Sequence, residues 1–280
     1  MWPTSSSLRR RRTAHVSHPD RSNHVALITR SRRRTRREKR PASARHRRVR
    51  KRIRLTALAA LLLGVTAFLT WCSILYPADT TAYAIVADEP AIVVSSTPEA
   101  LVLSPAGGAT NVGLVFVPGA KVPAQAYAFK LSGLVETGVT VIVTKPILNL
   151  AFFDLRPLST FTDIAPEVDR WYVGGHSLGG VKACSWAGSS EGLVLFGSYC
   201  AGETDASTLS IGASDDGLST PADIVANAAK LPDDAQFVEI EGANHASFGD
   251  YGPQPGDGEA TLTSAEMRDR LTAVLAAFVR

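Results

Sequence analysis

Twenty-two consecutive residues without a charge, Leu55 to Tyr76 (LTALAALLLGVTAFLTWCSILY), divide this chain into parts that cannot share one core. At 1.5 Å per residue, a helix of that length crosses about 30 Å of hydrocarbon. The run is apolar on every face, whereas a surface helix of a soluble domain carries one apolar stripe, and RVRKRIR stands directly before it. The prediction is a single transmembrane helix, the other reading being a buried core helix. The basic cluster of Arg45, Arg47, Arg48, Arg50, Lys51, Arg52 and Arg54 stays on the cytoplasmic side. The chain beyond Pro77 is then extracytoplasmic and the protein is a single-pass protein of the cell membrane.

Two processing signals overlap this region. Ala82-Tyr83-Ala84 has the small-x-small spacing of a signal-peptidase site, so cleavage near Ala84 would release a secreted form. The long basic n-region and the length of the apolar run favour a retained anchor. Leu69-Thr70-Trp71-Cys72 has the outline of a lipidation site, but bulky Trp71 occupies a position that needs a small residue, which argues against lipidation at Cys72.

Charge divides the chain in the same place. Residues 1–54 hold 20 of the 30 Lys and Arg residues against Asp20 and Glu38, and the remainder holds 10 basic and 24 acidic residues. The net charges are therefore +18 and −14, and the small positive total describes neither part. The basic segment lacks the apolar residues to build a core and is expected to be disordered. Beside a bilayer, anionic lipid is its nearest electrostatic partner. It carries no motif for specific nucleic-acid recognition.

The expected organisation is a basic cytoplasmic tail at 1–54, the span at 55–76, a linker at 77–90 and an α/β domain at 91–280. Within the last part, short apolar runs alternate with amphipathic stretches. Strands are expected at Ala91–Val94, Ala100–Leu103, Val112–Val117, Val139–Val143, Trp171–Val173, Leu193–Phe196, Thr208–Ile211 and Gln236–Ile240. Helices are expected at Gln125–Val135, near Phe161–Val168, after Ser177, at Pro221–Ala229 and at Ser264–Phe278. Gly138 is placed to cap the first of these. This alternation predicts a mainly parallel sheet flanked by helices on both faces.

The chemistry centres on GGHSLGG, residues 174–180. Gly175-His176-Ser177-Leu178-Gly179 fits G-x-S-x-G, which has physical meaning only where a strand enters and a helix leaves, with the serine on the turn between. Both conditions are predicted. The Leu178 amide would then point at a developing oxyanion, and the exit of the Val112–Val117 strand, Pro118-Gly119-Ala120-Lys121, offers a second donor at Ala120 or Lys121.

A serine hydroxyl needs an imidazole to take its proton, and the imidazole a carboxylate to hold it. The part beyond the span contains only His176 and His245. His176 shares the turn with Ser177 and reads as structural, which leaves His245 in EGANHASFG as the base. The acid falls in GASDDGLS, with Asp216 preferred, Gly217 supplying the turn, and Asp215 as the alternative. The order Ser177, Asp216, His245 is that of the α/β-hydrolase architecture.

On these residues, the stretches FVPGAKVPAQAYA, VTKPILNLAFFD, GGHSLGG, GASDDGL and EGANHASFGDYG resemble the α/β-hydrolase fold, in the minimal form of a small bacterial serine-hydrolase group without a large lid. The resemblance implies an oxyanion loop in the first stretch, the nucleophile Ser177, the acid Asp216 and the base His245. The reading of this machinery is cleavage of a carboxylic ester or related acyl bond in a small or lipid-like substrate, with an envelope acyltransferase, thioesterase, lactonase or amidase as variants on the same triad. A non-catalytic interaction domain is the alternative from another class.

Other residues have two readings each. Asp250 and Asp154 are turn residues or line the site, Asp250 with the further possibility of a bound cation. The Leu148–Phe153 loop is either core or the wall of an apolar pocket. Cys184 and Cys200 form a disulfide outside the cytoplasm or remain two buried thiols. No P-loop, Rossmann glycine fingerprint, HExxH or clustered metal-ligand spacing occurs, so neither cofactor nor metal is inferred.

Overall fold

A computed structural model describes residues 43–280; the tail expected at 1–54 lies outside them up to residue 42. The first element, α1, runs Ala44–Ser73, so the helix begins within the basic segment and continues through the apolar run. Arg, Lys, Ala and Leu are all good helix formers, and nothing between Ala44 and Leu55 breaks the hydrogen-bond ladder. Among the described residues α1 is the one helix long and apolar enough to cross a membrane, and its apolar side chains are almost wholly exposed.

Residues 77–90, expected as a linker, contain a second helix, α2, at Thr80–Ala87. Asp79 caps it by accepting from the N–H groups of Thr81 and Ala82. Val86 is buried in the main core, and Ala78 bridges to Tyr251. The linker reading fails because Ala82 and Val86, four apart, form an apolar face that docks on the domain. The Ala82-Tyr83-Ala84 motif lies inside this helix, so cleavage after Ala84 would remove more than half of α2.

Eight strands form one sheet: β1 Ile92–Ser96, β2 Ala100–Pro105, β3 Val112–Val117, β4 Thr140–Thr144, β5 Arg170–His176, β6 Gly192–Phe196, β7 Thr208–Ala213 and β8 Gln236–Ile240. Their order is β1-β2-β4-β3-β5-β6-β7-β8. The first two pairings are antiparallel, and all from β4 onward are parallel. The central strands β3, β4, β6 and β7 are buried throughout, as their continuous apolar runs require.

On one face α2, α3 (Ala128–Glu136) and α7 (Ser264–Phe278) cover a core that includes Leu114, Phe116, Leu131, Leu134 and Leu271. On the other, α4 (Ser159–Thr162) and α5 (Leu178–Cys184) cover Val115, Val173, Phe161 and Trp186. The last helix to be placed, α6 at Pro221–Asn227, packs on β7. Gly138 does take a positive φ, 100°, just past α3. The helix expected over Phe161–Val168 shrinks to α4, because Phe161, Ala165 and Val168 reach the core from a turn rather than from a helical stripe.

The docking of α2 has a measurable consequence. Val86→Ala should lower the unfolding free energy by about 2 kcal/mol, the burial contribution of its side chain plus the cavity left behind. Urea unfolding of the detergent-solubilised chain measures this, and an unchanged midpoint would mean that α2 is not part of the cooperative unit.

Candidate active site

Ser177 stands between β5 and α5 with φ 52° and ψ −125°, a strained conformation for a residue with a Cβ. The turn is possible because its neighbours carry no side chain. A Cβ on Gly175 would lie 2.4 Å from the Gly179 carbonyl carbon, and one on Gly179 would lie 2.0 Å from the Val117 carbonyl oxygen. The helix therefore begins against the backbone of β3, and the serine is left partly exposed at the C-terminal edge of the sheet. Its N–H donates to the Phe196 carbonyl and its carbonyl accepts from Ser198 Oγ, which fixes the turn against β6.

As the first residue of α5, Leu178 has an N–H without an intrahelical acceptor. The Ala120 N–H also donates to nothing among the described residues. Lys121, the other donor expected from the sequence, differs in that its N–H is already engaged. Its N–H donates to the Asn149 carbonyl at 2.8 Å, while its ammonium lies 4.5 Å from the centre of the Trp71 ring. Lys121 itself takes φ 62°.

Asp216 and His245 come together from separate loops: Oδ2 and Nδ1 are 2.8 Å apart, and both side chains are buried. Asp216 Oδ1 accepts from the N–H groups of Leu218 (2.8 Å) and Ser219 (2.6 Å), so the carboxylate is held by three donors. Gly197 lies so close that a Cβ there would be 2.8 Å from Asp216 Oδ2 and 3.3 Å from His245 Nδ1. Asp215 points elsewhere, accepting from Ser214 Oγ, which excludes it as the partner of His245. Gly217 serves close packing rather than a special turn, since its Cβ would meet the Gly256 carbonyl oxygen at 2.3 Å.

His176 lies under the site. Its ring centre is 4.3 Å from that of His245, and its Nδ1 is 2.9 Å from the Tyr127 hydroxyl. Tyr127 accepts from the Gly119 N–H, leaving its own proton for His176 Nδ1. Burial, reinforced by the neighbouring His245, holds the His176 pKa well below the usual histidine value, with the His245 backbone opposing weakly. The neutral ring thus acts as a spacer that ties the Gly119 loop, through Tyr127, to the floor of the Ser177 turn.

Asp257 is a functional candidate that the sequence did not single out. Its Oδ1 accepts from the N–H groups of His245, Gly217 and Gly258, and its Oδ2 from that of Ala246. One carboxylate thereby joins the loop that carries Asp216 to the loop that carries His245. The PGDG turn was the available signal, but nothing local distinguishes it from an ordinary surface turn.

Asp250 is buried. It makes an ion pair of 2.6 Å with buried Lys130, whose pKa is pulled down by burial against the opposing charge of Asp250. Asp154 pairs with Arg156. Burial raises the Asp154 pKa, but the hydrogen bonds and charge of Arg156 outweigh it and the net shift is downward. Cys184 and Cys200 are disulfide-bonded, with Cα atoms 5.7 Å apart. Among the described residues no group of three His, Cys, Asp or Glu side chains is placed to hold a metal. A cleft of about 300 Å³ between α6 and β7–β8, lined by residues such as Ile224, Val225 and Phe237, includes none of the candidate catalytic residues.

Residues 113–269 match the family model described as the alpha/beta hydrolase family. Among solved structures, an alpha-beta serine hydrolase homologue from Coxiella burnetii is similar at 14% identity and a TM-score of 0.47, covering 67% of this chain and 97% of its own. No curated protein matches.

The buried neutral His176 sets a pH dependence. The unfolded chain takes up a proton below about pH 6.5, whereas the folded chain does so only at lower pH, so stability falls as pH drops through that window. The limiting slope is about 1.4 kcal/mol per pH unit, and His176→Asn should flatten the acid limb of a plot of unfolding free energy against pH. Asp257→Ala should destabilise by about 2 kcal/mol through the N–H groups it leaves unpaired, read as a lower urea midpoint with the slope unchanged.

Proposed function

The chain belongs to the alpha/beta hydrolase family, and on that premise we propose that it is a membrane-anchored serine hydrolase that cleaves a carboxylic ester with Ser177, His245 and Asp216. The observation that carries this reading is the buried Asp216–His245 hydrogen bond at the same sheet edge as a serine held on a strained strand-to-helix turn. A scaffold used only for binding has no need of either arrangement.

In this mechanism Ser177 Oγ attacks the ester carbonyl carbon while His245 Nε2 takes the hydroxyl proton. Asp216 holds the Nδ1–H tautomer and stabilises the imidazolium that forms. The negative oxygen of the tetrahedral intermediate lies between the N–H groups of Leu178 and Ala120, each worth about 3 kcal/mol of transition-state stabilisation. As the intermediate collapses, His245 returns its proton to the departing alkoxide, leaving an acyl group on Ser177. Water, deprotonated by the same imidazole, then releases the acid. Ser177 Oγ has no hydrogen-bond partner among the described residues; serine-to-histidine contacts are often long before substrate arrives.

The basic cluster before Leu55 supports an orientation with the N-terminus in the cytoplasm and the hydrolase domain outside. The disulfide Cys184–Cys200 agrees with an oxidising compartment.

A fluorophosphonate probe tests the proposal. It should label Ser177 in the full chain, fail on Ser177→Ala and label His245→Ala far more slowly, while Asp216→Asn should lower kcat on a soluble ester by about 10⁴-fold. Absence of labelling on the folded wild-type chain would overturn the assignment.

A further inference from the structure

The segment between β4 and α4 puts its large apolar side chains outside the domain. Leu150 and Ala151 are buried, but Phe152 is 72% and Leu155 87% exposed, with Ile147 and Phe153 also exposed. Of the two readings its sequence allowed, core holds for Leu150 and Ala151, while Phe152 and Phe153 face outward. Its neighbouring charges are spoken for: Asp154 pairs with Arg156, and the Lys145 ammonium donates to Ser96 Oγ and the Thr97 carbonyl.

The segment is fastened to the end of α1. The Phe153 ring stands edge-on to Phe68 at 5.8 Å, and Phe68 stacks on Trp71. Asn149 Nδ2 donates to the Cys72 carbonyl, the Asn149 carbonyl accepts from the Lys121 N–H, and the Lys121 carbonyl accepts from the Tyr76 N–H. Phe68 lies five residues before Ser73, about 7.5 Å back along the helix axis at 1.5 Å per residue. A helix that spans the bilayer with its apolar run therefore carries Phe153 below the membrane surface.

We propose that residues 147–155 form a lip that dips into the leaflet on the side of the hydrolase domain, so that Ser177 receives esters whose acyl chains remain in the bilayer. This rests on the membrane-anchored serine-hydrolase reading. A bilayer is the occupant because the lip and the exposed face of α1 form one continuous apolar surface, and whatever solvates Phe68 also solvates Phe153. Lys121, stacked on Trp71, places a cation and an aromatic ring at the head-group level, as membrane-interface residues do. The lip also adjoins the site. Ala151 packs in the same core as Leu178 and Ala183 of α5, and Asn149 holds the residue that follows Ala120. The substrate class is a carboxylic ester of a membrane-resident amphiphile.

The test uses the full chain in phosphatidylcholine vesicles. The environment-sensitive fluorophore NBD is attached, in a Cys72→Ser background, at Phe152→Cys, at Leu63→Cys on α1 or at Val225→Cys on α6, and is quenched by lipids spin-labelled on the acyl chain. The expected result is strong quenching at positions 63 and 152 and little at 225. Quenching at 63 with position 152 no better than 225 would overturn the lip and leave the span standing. No quenching at 63 would overturn both. Phe152→Glu combined with Leu155→Glu should slow hydrolysis of a long-chain ester in the vesicles at least tenfold and leave a water-soluble short-chain ester unchanged. An equal change on both esters, or none, would overturn delivery from the bilayer. Wild-type inactivity on both esters would sink the hydrolase reading and with it delivery from the bilayer, while the quenching would still decide where the lip sits.

Discussion

The arrangement at the C-terminal edge of the sheet depends on backbone meeting backbone at Gly179, where a side chain would collide with the carbonyls of Val117 and Pro118. Because α5 starts against β3 in this way, the turn before it has room for one residue, and that residue takes a positive φ. The strain at Ser177 is maintained by three elements: β3 below, β6 through the Phe196 carbonyl, and Ser198 through its hydroxyl. A strained residue persists only where its surroundings over-determine it.

Around this turn the loops are tied together by polar groups that are not themselves candidates for the reaction. Tyr127 links Gly119, next to Ala120, to His176, next to Ser177. Asp257 links the loops of Asp216 and His245. Both devices satisfy backbone N–H groups that would otherwise be unpaired in the folded chain, so the energy that stabilises the loops also fixes the distances between the candidate site residues. Lys130 and Asp250 do similar work further out, where the Asp250 N–H donates to Ala126 and its carbonyl accepts from Asp79 before α2.

The chain that leaves α1 takes part in this scaffold. Tyr76 and Cys72 hold Lys121 and Asn149, two residues with positive φ, at 62° and 56°. The loop that carries Ala120 is thus braced by the residues at the end of the apolar helix, a physical link between α1 and the candidate site.

The sequence by itself determined the apolar run, the strand-helix alternation, the serine on its glycine turn and the order of Ser177, Asp216 and His245. These are local signals: periodicity, runs of one residue type, and spacings within a few residues. Tertiary structure decided the rest. Asp216 rather than Asp215 meets His245 because β7 and β8 align in parallel register, Ala213 opposite Ile240, and bring the loops after them together. The Lys121 N–H is engaged because Asn149, far along the chain, accepts it. The expected linker 77–90 contains the docked helix Thr80–Ala87 because its apolar face finds a core made elsewhere. Asp257 acquires its role only when four N–H groups from two loops converge on it. In each case the deciding contact joins residues distant in sequence, which no local pattern encodes.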